Sequence, residues 1–227
     1  MRWHALVHLV FLSCFLSSMA QESDSPIDYL EDQFYLGVSY NSFNNKPDEF
    51  SQNKFPYNIN VGFIRDIPLN TNRNFGIGVG LGYAFNNYFG NTKIVKTSDN
   101  FELTTLTNED NYSKNHWITH SIELPFQIRW RTSTIESYKF WRIYTGIKAS
   151  YLFSTRATFR SASEKSTLRS LPLEKLQWGL TTHIGHSTWN LSLYYGISSF
   201  FEKKSIPNHP FFHKTNELKL GLIFYIF

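Results

Sequence analysis

With 22 Lys and Arg against 18 Asp and Glu, the 227-residue chain carries a net charge of +4, too diffuse to imply nucleic acid as a partner. Its one cysteine, Cys14, excludes an intrachain disulfide and a thiolate metal site. Aromatic content is high, with 21 Phe and 13 Tyr, and the length suits a single domain with its own core.

Arg2 and His4 precede an apolar run from Ala5 to Phe15, and Ser18-Met19-Ala20 places small residues just before Gln21. This predicts a secretory signal peptide over residues 1–20, removed from the mature chain. The run is too short to span a bilayer as a helix. Phe11-Leu12-Ser13 before Cys14 is a poor match to a lipoprotein box, so lipidation is the minor alternative. Ser25 followed by Pro26 reads as a helix start, with a capping residue and Pro at the first position. Residues 21–32 are therefore expected to form a periplasmic segment, either a short helix or a solvated linker. Residues 33–227 are expected to form one folded domain.

From there the chain alternates with period 2, the signature of strands with two unlike faces. Phe34, Leu36, Val38 and Tyr40 oppose Tyr35, Gly37, Ser39 and Asn41. Tyr57, Ile59, Val61 and Phe63 follow, against Asn58, Asn60, Gly62 and Ile64. The third strand sets Gly76, Gly78, Gly80 and Gly82 against Phe75, Ile77, Val79, Leu81 and Tyr83. Glycine weakens a strand interior and marks close packing, as inside a barrel of few strands whose interior only just holds side chains. The bulky face then points outward, into lipid. A dinucleotide loop would need a helix after G-x-G-x-x-G; Leu81 stands where the third Gly would fall and no helix signal follows.

A fourth strand runs from Ile118 to Trp130, a fifth from Trp141 to Phe153, a sixth from Leu176 to Ile184, a seventh from Trp189 to Ser198 and an eighth from Glu217 to Ile226. His120 falls on the apolar side of the fourth as a local exception. The connections alternate as well. Asn44 to Phe55, Asn86 to Asn115, Ser154 to Leu173 and Glu202 to Lys214 are long and polar, whereas Pro68 to Asn74, Thr132 to Lys139 and Gly185 to Thr188 are short. Eight spanning strands with long loops on one rim and short turns on the other predict an all-β, eight-stranded antiparallel transmembrane β-barrel of the outer membrane. Trp130, Trp141 and Trp189 would mark the periplasmic rim. A soluble barrel would keep its apolar face inside, but here that face is wide, Trp-rich and nearly free of charge. The closing Phe224-Tyr225-Ile226-Phe227 is expected to be the end read by the barrel assembly machinery, with the side of Tyr225 and Phe227 open by one residue.

Pairing Trp130 with Trp141 across the fourth and fifth strands sets Glu123 opposite Lys148 in the lumen, where a charge needs a partner. Arg129, Arg142, Glu217 and Lys219 are expected to join this lumen charge network, whose role is to plug the interior. No catalytic, cofactor-binding or metal residues are expected, and no enzyme activity. His116 and His120 share a face but lie about 13 Å apart at about 3.3 Å per residue, too far to chelate one ion. Pro210 argues against a helical pairing of His209 with His213, and His183 and His186 have no carboxylate or thiol beside them in sequence. The basic loop residues Arg156, Arg160, Lys165 and Arg169 are read as a solvated loop, with contact to a partner or to lipopolysaccharide phosphates as the functional alternative.

Ile122-Glu123-Leu124-Pro125-Phe126-Gln127-Ile128-Arg129-Trp130-Arg131 resembles the fourth-strand motif of small outer-membrane barrels of the PorT (SprT) family. Phe63-Ile64-Arg65-Asp66-Ile67-Pro68-Leu69-Asn70, the Gly76–Gly82 strand and Phe140-Trp141-Arg142-Ile143-Tyr144 are similar to that family in the same order. The resemblance implies an accessory component of type IX protein secretion, serving gliding in some bacteria, with other secretion-system proteins as partners and no catalytic residues to carry over. A generic small barrel that tethers or stabilises the envelope is the alternative, and a lipid-modifying barrel enzyme a third.

Overall fold

The computed structural model describes residues 31–52, 54–98, 100–132 and 140–226. The expected signal peptide, the Ser25–Leu30 helix start, most of the Thr132–Lys139 turn and Phe227 lie outside these residues.

The described residues form eleven strands in chain order: β1 (Glu31–Asn44), β2 (Tyr57–Pro68), β3 (Phe75–Phe89), β4 (Thr92–Lys96), β5 (Phe101–Thr105), β6 (Tyr112–Arg131), β7 (Trp141–Ser161), β8 (Lys165–Arg169), β9 (Leu176–His186), β10 (Trp189–Gly196) and β11 (Asn216–Ile226). Eight of them, β1, β2, β3, β6, β7, β9, β10 and β11, pair with their sequence neighbours in up-and-down order. The ring closes where β1 pairs antiparallel with β11, from Phe34 opposite Ile226 to Asn44 opposite Asn216. Closure removes the unpaired edges that an open sheet would expose to lipid. All eight strands expected from the alternation are there, and β1 begins two residues earlier than the expected domain boundary.

The glycines of β3 line the lumen beneath large side chains. A Cβ on Gly78 would meet the Arg129 guanidinium, one on Gly82 the Tyr35 hydroxyl, and one on Gly80 would stand 2.5 Å from both the Ile64 side chain and the Phe63 carbonyl oxygen. Backbone cannot yield as a side chain can. Gly80→Leu is therefore expected to destabilise the barrel by about 1–3 kcal/mol through overpacking, while Val79→Leu on the outer face changes stability by less than about 0.5 kcal/mol. Urea titration of the refolded barrel measures both; equal losses would mean the two faces are reversed.

The outward residues form one apolar wall, with Trp130, Trp141 and Trp189 exposed near the short turns. At the opposite end of the wall Tyr83, His120 and Phe153 meet, with the Tyr83 hydroxyl 2.6 Å from His120 Nδ1 and the Tyr83 and Phe153 rings 6.4 Å apart. Tyr57 and Phe85 continue this second belt. His120, an exception in the sequence pattern, thus serves as a polar belt residue at the membrane–water interface.

The long connections depart from the expectation of polar loops. β4 and β5 form a hairpin within the Asn86–Asn115 connection, and β8 folds back on the outer end of β7. Together the loops bury Phe43, Phe50, Tyr88, Trp117, Phe200, Phe201, Ile206 and Phe212 in one cluster over the outer mouth of the barrel. They come from separate segments as single residues or adjacent pairs such as Phe200-Phe201, so no periodicity announces the cluster. Glu102 staples the β4–β5 hairpin to the last loop, accepting from Asn208 at 3.0 Å and lying 2.8 Å from His209. Those hydrogen bonds hold its carboxyl below the usual carboxylate range.

Candidate functional site

Among the described residues the lumen gathers most of the buried ionisable groups, and they fall into two tiers. Nearest the short turns, Asp66 on β2 is wholly buried and lies 2.6 Å from Arg131 and 3.5 Å from Arg129, both on β6. Arg129 also donates to Gln33 at 3.0 Å and to Gln127 at 3.2 Å, and its guanidinium lies 4.3 Å from the centre of the Tyr144 ring. Arg142 stacks over Phe140 at 4.5 Å and faces Tyr225. The Tyr225 hydroxyl in turn lies 2.5 Å from His183 Nδ1. Tyr225 is therefore a lumen residue, which answers the question its position left open.

The second tier sits further out. Lys148 Nζ is 2.7 Å from Glu123, Lys219 is 3.0 Å from Glu217, and both ammonium groups lie within 5.1 Å of the Tyr194 ring centre. The Tyr88 hydroxyl donates to Glu217. Above this tier Asn58 donates to Asn86 at 2.9 Å and Asn86 to Thr119 at 3.0 Å, tying β2, β3 and β6 across the interior.

The hairpin register differs from the expected one. Trp130 faces Ile143, not Trp141, so Glu123 stands opposite Ser150 and Lys148 opposite Pro125. The ion pair forms diagonally across the ladder. A shift of two residues keeps every side chain on its own face, whereas a shift of one would have turned both charges toward lipid.

Asp66, Arg131 and Gln33 were absent from the sequence-derived network. The signal was present: extending each alternation by one more inward position, from Ile64 to Asp66 on β2, from Arg129 to Arg131 on β6 and from Tyr35 back to Gln33 on β1, reaches all three.

The interior is nearly full. A void of about 20 Å³ beside Glu123, Lys148 and Lys219 has room for roughly one water, and the aromatic cluster closes the outer mouth. Among the described residues no group of three or more His, Cys, Asp or Glu side chains could hold a metal. What this arrangement does chemically is pair charge and fill space.

Residues 19–202 match the family described as outer membrane protein beta-barrel domain. No curated protein matches the chain. Among solved structures it is similar to Ail, the attachment invasion locus protein of Yersinia pestis, at 13% identity and a TM-score of 0.40, over 86% of this chain and 97% of that one. The same Ail protein in complex with the heparin analogue sucrose octasulfate gives 12% identity and a TM-score of 0.38, again over 86% of this chain and 97% of that one. Ail in a phospholipid bilayer nanodisc gives 15% and 0.33, over 86% of this chain and all of that one.

Proposed function

The chain belongs to the outer membrane protein beta-barrel domain family, and from that premise we propose that it is an accessory component of type IX protein secretion acting through protein–protein contacts. The protein resides in the outer membrane. The filled lumen is the observation that carries the reading: with charged and polar side chains buried across the interior and an aromatic cap above them, the barrel is no conduit for a polypeptide, so its work lies on its surfaces. The PorT-like segments in β2, β3, β6 and β7 supply the link to secretion. Its partners are other secretion-system proteins, the barrel assembly machinery that inserts it, and the lipid around it. We read it as non-enzymatic and without a cofactor.

Deleting the gene and analysing culture medium and periplasm by proteomics tests this. Secretion substrates are expected to accumulate in the periplasm while other outer-membrane proteins assemble normally. Unchanged export would leave the second reading, a structural barrel that stabilises the envelope, which the same filled lumen also supports.

A further inference from the structure

On β7 the ladder with β6 slips between His120 and Ser121: Ser121 pairs with Leu152 and His120 with Ser154, leaving Phe153 as an extra residue. A bulge of this kind re-aims the strand beyond it. Before it the outward residues of β7 are odd-numbered, Tyr151 and Phe153 among them; after it Arg156 and Arg160 are exposed while Ala157 and Phe159 turn inward. The bulge thus delivers two arginines to the outer wall just past the aromatic belt.

The partner strand changes at the same point. β7 pairs with β9 up to Tyr151 opposite Leu176, and with β8 from Arg156 opposite Arg169. The intervening residues 170–175 leave the ladder, tied to β7 where Ser170 donates to the Thr155 carbonyl at 3.1 Å and Leu152 to the Lys175 carbonyl at 2.8 Å, and beside them lies a cleft of about 550 Å³, a size usual for small-molecule sites. Tyr151, Phe153 and His120 line its membrane side, with Lys175 at their level where its carbonyl accepts from Leu152 at 2.8 Å, and Arg156 and Arg169 line its outer side. None of the residues lining it is acidic. Among the described residues none of Arg156, Arg169 and Lys175 has an ion-pair partner.

Like charges also face one another directly: Arg156 opposite Arg169 in the cleft, and further out Arg160 opposite both Lys165 and Lys114. Such pairs are destabilising by themselves, and an anion bound in the cleft between Arg156 and Arg169 removes their repulsion. We propose that this cleft binds the phosphate-bearing headgroup of a glycolipid in the surrounding outer leaflet. Arg156, Arg169 and Lys175 contact the phosphate, and Tyr151 and Phe153 pack against the acyl chains below it. The depth selects a lipid over a soluble anion, because the two arginines stand immediately above exposed membrane-facing aromatics, where headgroup phosphates lie. Arginine suits the task through its bidentate geometry toward phosphate. The inference rests on the barrel's place in the outer membrane and not on a role in secretion.

The test is binding of bisphosphorylated lipid A to the purified barrel in nonionic detergent, read by native mass spectrometry. The same lipid without its phosphates, sodium phosphate and heparin serve as comparison probes. Bisphosphorylated lipid A is expected to bind at least about tenfold more tightly than the dephosphorylated lipid, and Arg156→Gln/Arg169→Gln to lose at least about tenfold in affinity. Lys203→Gln/Lys204→Gln, an equal charge change on a different exposed loop, should leave affinity unchanged. Folding of each variant is checked by its migration on gels with and without boiling. Should the arginine pair fail to fold, Lys175→Gln carries the test, with an expected loss of about threefold or more. Equal losses in the two double variants, equal binding of the dephosphorylated lipid, an unaltered affinity in Lys175→Gln, or binding of heparin or free phosphate as tight as that of lipid A would each overturn the proposal.

Discussion

Replacing Asp66 with Asn is expected to destabilise the folded barrel by about 3–5 kcal/mol, the cost of leaving buried charge without its partner. Asn has nearly the same shape, so packing barely changes. What changes is that Arg129 and Arg131, 1% and 3% exposed, lose the carboxylate 3.5 and 2.6 Å away. Gln33 and Gln127 still accept from Arg129, and the Arg73 carbonyl still accepts from Arg131 at 2.6 Å, but neutral acceptors do not cancel two guanidinium charges. Asp66→Asn/Arg131→Met should recover part of the loss, because it removes one of the stranded cations along with their partner. Urea unfolding of the refolded barrel in lipid vesicles gives the three values needed. A single-variant loss below about 0.5 kcal/mol, the range of an ordinary surface change, would show that Asp66 is not the counter-ion of this tier.

This lower tier is also where sequence and structure diverge most usefully. Strand identity and facing were legible because period 2 persists across every spanning segment, and the Gly76–Gly82 run marks which face is cramped. The Glu123–Lys148 pair was legible despite a wrong hairpin register, since any even slip preserves the face. Asp66 is legible as a lumen position by the same alternation, but its pairing is not: its partners come from β6, with β3 between them in the sheet, and no local spacing reports such a meeting. The parity change at Phe153 was hidden for another reason. A bulge inserts a single residue without a fixed residue type, so the outward placement of Arg156 and Arg160 had to be seen in the ladder itself. The aromatic cluster over the mouth was hidden more deeply. Its members are supplied by long connections and strand ends whose polar composition masks them, and only the closed ring of strands brings those ends together.

Phe200→Ala should cost about 3–5 kcal/mol of the stability of that outer cluster, as truncation of a buried Phe does. The Phe200 ring is 2% exposed and lies 4.7 Å from Phe43, 5.3 Å from Tyr88 and 5.2 Å from Phe201, centre to centre. Its removal leaves a cavity that three other rings cannot collapse to fill, because each is held by a different strand end or loop. The transmembrane wall closes through β1 and β11 from Phe34 opposite Ile226 onward, and just its last pairs, at Phe43 and Asn44, reach the level of these contacts. Local loosening without loss of the barrel is therefore the expected result. It would be read as faster proteolysis of the β4–β5 and β7–β8 hairpins on intact cells, with migration on gels with and without boiling unchanged. Conductance should stay at the wild-type level, since the ion-paired tiers below still fill the lumen. If the barrel acts through a surface shaped by these loops, secretion should fall in the same variant. Loss of the folded barrel in Phe200→Ala would show that cap and wall unfold as one unit, and an unchanged proteolysis rate would show that the rings do not hold the loops in place.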